Sequence, residues 1–138
     1  YRSARLWNGR MTINGGVFDG QIWLQGVSNE AELNINGGTF GPNGRDGSSV
    51  FVKNDEYDVT LSVTGGTFNT KIGCNDANKT GLKGSVKGGV FTAAAKENTN
   101  SALIAEGYVY EEYLDNYKVV PAFVKKSDSS YEIYNKVG

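Results

Sequence analysis

The chain has 138 residues, enough for one domain with its own core, and it is rich in Gly (19), Tyr (8) and Phe (6) but holds only 2 Pro. Lys+Arg is 14 against Asp+Glu 15, so the basic excess of a nucleic-acid or anionic-membrane partner is missing, and no apolar run approaches the ~18 residues of a membrane span. There is no His and a single Cys. The first removes the commonest general base and metal ligand, and the second excludes an internal disulfide, so no cofactor and no metal are expected.

The chain begins at Tyr1 without a signal-peptide pattern and reads as a processed product or a fragment of something longer. Four segments then align without gaps: Met11–Phe18, Leu33–Phe40, Leu61–Phe68 and Gly84–Phe91. Each ends in Gly-Gly-x-Phe: Gly15, Gly16 and Phe18; Gly37, Gly38 and Phe40; Gly65, Gly66 and Phe68; Gly88, Gly89 and Phe91. The first Gly recurs after 22, 28 and 23 residues. A second apolar strand follows each of the first three motifs, at Ile22, Val50 and Ile72. The period is thus about 22 residues with one six-residue insertion in the Gly-rich segment Gly41–Gly47.

Within each motif the apolar residues alternate, which marks a strand with one buried face. Stacking at the ~4.8 Å strand spacing places the four Phe in one interior ladder and Ile13, Ile35, Val63 and Val86 in another. The Gly pairs fit a corner that needs positive φ, or one where the neighbouring coil leaves no room for Cβ. Cys74 falls in the inward slot of Leu24 and Val52 and reads as a buried small hydrophobe. The expected fold is all-β: a right-handed parallel β-solenoid of about four to five coils over residues 1–91, with a β/loop cap over residues 92–138.

In the cap, residues 92–100 read as a short helical turn or a loop, and residues 101–108 as a last partial rung or a short helix closed by Gly107. The acidic run Glu111–Asp115 reads as solvated. Tyr117–Val120 and Tyr131–Tyr134 read as strands, with Lys125–Ser130 as a turn between them. Tyr1 falls near the place of Trp23 one coil earlier, so the stack is expected to continue upstream or to pack on a partner.

Function is expected on the outward positions. On the first strand these are Thr12/Asn14, Asn34/Asn36, Ser62/Thr64 and Ser85/Lys87, a row of mostly small polar side chains. On the second strand Trp23 and Phe51 share one outward slot on adjacent coils, where Gly73 follows. The two rings read as a platform for a sugar or a subunit, with Gln21, Gln25 and Lys53 supplying hydrogen bonds. The segment Asn54–Asp58 reads as a solvated turn, lacking any calcium-loop spacing. Asp46, Asp55, Glu56 and Asp58 are the candidates for a paired-carboxylate glycosidase, but one short insertion builds little cleft.

The Gly-Gly-x-Phe run, with Leu103–Tyr108 and Tyr117–Val120 after it, resembles repeat regions of large surface proteins of gut-type bacteria and modules of phage structural proteins such as spikes, fibres and head decorations. That resemblance implies placement on a bacterial surface or a virion, outside the cell. It also implies attachment or structural work, and self-association or incorporation into a larger assembly. A non-catalytic module that contacts glycan is therefore expected. The alternative is a carbohydrate-active β-helix enzyme of polysaccharide-lyase or glycosidase type.

Overall fold

The computed structural model describes residues 2–41, 47–53, 57–75, 82–127 and 130–133. The protein is mostly β. Its first twelve strands are β1 (Arg2–Leu6), β2 (Gly9–Ile13), β3 (Val17–Phe18), β4 (Gln21–Gln25), β5 (Ala31–Ile35), β6 (Thr39–Phe40), β7 (Ser48–Lys53), β8 (Val59–Val63), β9 (Thr67–Phe68), β10 (Lys71–Cys74), β11 (Leu82–Val86) and β12 (Val90–Phe91). Every third strand pairs with the last of its kind. The orders are β1-β4-β7-β10 in one sheet, β2-β5-β8-β11 in a second and β3-β6-β9-β12 in part of a third, all parallel.

The register follows from the period-two pattern, because a slip of one residue would turn every apolar side chain outward. Ile13, Ile35, Val63 and Val86 align, as do Ile22, Val50 and Ile72. All seven belong to one buried cluster. The Phe ladder forms as well. Phe18–Phe40, Phe40–Phe68 and Phe68–Phe91 stack with ring centroids 5.2, 5.0 and 4.8 Å apart. Cys74 aligns with Val52 and packs against the core while remaining partly exposed.

The Gly pair does two jobs, one per residue. The second Gly of each pair carries the positive φ, between 99° and 106° at Gly16, Gly38, Gly66 and Gly89. The first Gly is needed for space. A Cβ at Gly37 would lie 2.5 Å from the Asn14 carbonyl oxygen, and Cβ atoms at Gly65 and Gly88 would crowd the carbonyls of Asn36 and Thr64 more closely still. Gly15 has nothing within 4 Å of that position.

One register differs from the sequence expectation. Arg5, not Tyr1, is aligned with Trp23. The link from β1 to β2 is only Trp7-Asn8, whereas Gly26–Glu30 joins β4 to β5, so the first spacing is shorter than the later ones. Asn8 holds the longer link in place: its Oδ1 accepts hydrogen bonds from the backbone N–H of Val27, Ser28 and Asn29, each at 3.0 Å.

After residue 91 the chain covers the final strand of each sheet. Thr92 caps a short helix, α1 (Ala93–Asn98), by accepting from Ala95 N–H. Behind it the Thr99 hydroxyl accepts from Ile72 N–H on β10. A 3-10 turn at Ser101–Leu103 leads to Ile104, which bridges Val86 in parallel as a one-residue rung. Gly84 leaves a gap in the Leu33/Leu61 column, and the buried Leu103 side chain fills it: a Cβ at Gly84 would sit 2.7 Å from Leu103 Cδ2.

Strand β13 (Tyr108–Tyr113) pairs antiparallel with β14 (Asn116–Pro121), which pairs in turn with β12. The acidic run Glu111–Asp115 is exposed, as expected, and forms the end of β13 and the hairpin tip, with Glu111 opposite Lys118. Strand β15 (Phe123–Ser127) pairs with β16 (Ser130–Ile133), so Lys125–Ser127 is strand where the sequence suggested a turn.

Candidate functional site

The alternation that buries Ile22 and Leu24 on β4 turns Gln21, Trp23 and Gln25 to the other face of the sheet. On β7 the same parity turns Phe51 and Lys53 outward between buried Val50 and Val52. Parallel register then sets Trp23 beside Phe51 and Gln25 beside Lys53. The five residues named from sequence therefore form one surface.

Its geometry is more closed than a row of free side chains. Trp23 and Phe51 stack on each other, centroids 4.8 Å apart and planes 24° apart, so one face of each ring is already in contact. The Trp23 indole N–H donates to Gln25 Oε1 at 3.2 Å, and Gln21 Nε2 donates to the Ser48 carbonyl at 3.0 Å. Both rings are half-buried. Gly73 continues the column, and a Cβ there would lie 3.2 Å from Phe51 Cδ2. The surface is pre-organised, because its amides hold the rings and their strands rather than waving in solvent.

The polar row on the second sheet is also tied together. Asn36 Nδ2 donates to Asn14 Oδ1 at 2.9 Å, and the Thr64 hydroxyl donates to Asn36 Oδ1 at 2.8 Å. On the same sheet Arg10 pairs with Glu32, its register partner. Arg10, Glu32, Thr60 and Lys83 border a shallow cleft of about 460 Å³ that Glu30 and Asp58 also line. Asp58 is exposed there, while Asp46, Asp55 and Glu56 lie outside the described residues. No group of three or more His, Cys, Asp or Glu is arranged to hold a metal ion among the described residues.

A second cleft, of about 590 Å³, lies among α1, the 3-10 turn and β13. Sequence reasoning missed it. The one available signal was the alternation Tyr108-Val109-Tyr110, which marks a strand with its two Tyr on the same side. Tyr110 meets Phe91 edge-on at 5.5 Å and ends the ring ladder. Burial pushes its phenol up to about 12. Lys96 Nζ sits over the rings of Tyr110 and Tyr117, at 5.5 and 4.6 Å from their centroids.

No protein-family model, no curated protein and no solved structure matches this chain.

Proposed function

We propose that the three parallel ladders close into a right-handed β-solenoid of four to five coils, capped by residues 92–138, and that the protein is a non-catalytic structural or attachment module. In this reading it is displayed outside the cell, on a bacterial surface or a virion, and contacts glycan or further subunits through the Trp23–Phe51 surface.

The chain visits three sheets in turn and returns each time to the neighbouring strand of the same sheet. Parallel returns of this kind are right-handed in nearly all proteins. Aromatic rings flanked by amides suit sugar recognition and subunit contacts alike.

One observation carries the functional reading. Asn14, Asn36 and Thr64, three of the outward polar side chains, bond to their equivalents in the next repeat rather than converging on a common point. Groups spent on stiffening a surface suit a scaffold. Groups that act on a substrate must instead converge within hydrogen-bond reach of one reacting atom.

Glycan-array binding by the protein and by Trp23→Ala and Phe51→Ala tests the surface. Loss of signal in both variants supports it, and an unchanged signal contradicts it. Light scattering tests the assembly half: a strictly monomeric chain at high concentration, with no glycan bound on the array, would refute the module as a whole.

A further inference from the structure

The edge formed by β1, β2 and β3 is built like the interior of the stack, not like its capped end. Each of the three stands last in its sheet, whereas β10, β11 and β12 meet the α1 segment, Ile104 and β14. Gly15, at this edge, has no local reason to be Gly. The positive φ belongs to Gly16, and among the described residues no atom lies within 4 Å of the Gly15 Cβ position. An exposed Gly costs chain entropy and here gains nothing in return. At Gly37, Gly65 and Gly88 the same space is taken by the carbonyls of Asn14, Asn36 and Thr64 from the preceding repeat. Gly15 keeps that space open for a carbonyl that the chain does not place there.

The hydrogen-bonding groups at the edge repeat the pattern. In each later repeat two corner N–H groups donate to the repeat before, at 2.8 Å: Asn36 and Thr39 to Ile13 and Gly16, Thr64 and Thr67 to Ile35 and Gly38, Lys87 and Val90 to Val63 and Gly66. The equivalent residues of the first repeat are Asn14 and Val17, and both are exposed. The side-chain ladder runs the same way. Thr64 donates to Asn36 Oδ1 and Asn36 Nδ2 to Asn14 Oδ1, which makes the Asn14 amide the next donor in line. The apolar columns agree. Phe40, Phe68 and Phe91 are fully buried, while Phe18 stacks on Phe40 and stays partly exposed. Met11 is partly exposed where its register partner Leu33 is fully buried.

We infer that this edge accepts a further rung from a partner polypeptide that carries the same repeat. The rung lies parallel on β1–β3, with its own Gly-Gly-x-Phe corner over Gly15 and its Phe ring on Phe18. Any extended strand could meet the edge N–H groups. The space at Gly15 selects a corner of the same shape, because such a corner fills it at Gly37, Gly65 and Gly88. A second copy of this chain is a poorer match, since its β12 already pairs with β14 on the side that would have to dock. The inference uses the parallel ladders alone and stands apart from the Trp23–Phe51 surface.

The test titrates the full chain with a synthetic peptide of residues Gln21–Phe40, which spans β4, β5 and β6, and reads amide shifts by NMR. Saturable shifts are expected across Gly9–Phe18. Gly15→Ala should weaken the peptide by about tenfold or more, through the overpacking it introduces at the docked corner. Its urea midpoint should stay at or above that of the parent, because nothing opposes the new Cβ in the free chain. With the same rung fused ahead of Tyr1, Gly15→Ala should change from neutral to destabilising. Peptide shifts that persist unchanged in Gly15→Ala would overturn the inference. So would a peptide that leaves Gly9–Phe18 unmoved together with a Gly15→Ala that stays neutral in the fused chain. Dimerisation of the chain alone that Gly15→Ala abolishes would assign the edge to a second copy and also overturn it.

Discussion

Replacing Gly37 with Ala and, separately, Gly15 with Ala makes the same chemical change at the same place in two repeats. Only one of them has a neighbour in the way. The new Cβ at residue 37 would lie 2.5 Å from the Asn14 carbonyl oxygen and 3.3 Å from its carbon, whereas at residue 15 it meets nothing within 4 Å. To reach 3.0 Å, below which real Cβ contacts essentially never fall, the Asn14 backbone must recede by about half an ångström. That corner is pinned on both sides, by Asn36 N–H to the Ile13 carbonyl and Thr39 N–H to the Gly16 carbonyl, each at 2.8 Å.

Overpacking of this kind costs about 1–3 kcal/mol, and stretching the two flanking bonds costs up to about 1 kcal/mol each. Against this stands a gain of about 0.4–1 kcal/mol, because Ala narrows the unfolded ensemble. The expected net loss at Gly37 is about 2–3 kcal/mol. At Gly15 only the gain operates, so that variant is neutral or slightly stabilised. Urea unfolding followed by circular dichroism separates them, with midpoints about 1–2 M apart at a typical slope. Equal midpoints would refute the claim that the first Gly is selected by the close approach of the preceding repeat.

Leu103→Ala should cost about 2–5 kcal/mol by opening the gap beside Gly84, and Gly84→Ala should be less harmful in that background than alone, a coupling read by a double-mutant cycle in urea. The β13–β14 hairpin turns on Leu114 (φ 46°) and Asp115 (φ 65°), a two-residue turn that favours Asn-Gly, so Leu114→Asn with Asp115→Gly should raise thermal stability by about 1 kcal/mol without altering the circular dichroism spectrum. Burial raises the Tyr110 phenol from 10.0 to about 12, so the fold favours its neutral form. That contribution is complete below pH 10 and fades as pH climbs towards 12, and Tyr110→Phe should lose less stability than the parent across that window in chemical denaturation.

The ladders were legible in the sequence because the same residue types recur at a nearly fixed period and the side-chain alternation admits one register. Trp23 beside Phe51 followed from the same arithmetic. The arithmetic failed where the marker was missing. The place of a Gly pair before β1 lies outside this sequence, so the short Trp7-Asn8 link has no marker to set its register and Arg5 is not legible as the residue beside Trp23. Beyond Phe91 the repeat gives no guide. The Tyr-Val-Tyr-Glu-Glu-Tyr run of β13 is acidic, and its Leu-Asp turn carries no Gly, so local chemistry concealed a strand that forms because β14 is available to pair with it. The cleft beside α1 was invisible for a related reason. Its lining comes from a helix, a turn and a strand, and neither a motif nor a spacing joins them.

The central claim is that successive Gly-Gly-x-Phe motifs stack in parallel and in register. Proton NOESY spectra on protein labelled at Phe test it directly. The account predicts ring-to-ring contacts for Phe18–Phe40, Phe40–Phe68 and Phe68–Phe91, whose centroids lie 4.8–5.2 Å apart, and none between Phe18 and Phe68. Absence of the sequential contacts, or strong Hα–Hα contacts between β5 and β8 such as antiparallel strands give, would contradict it.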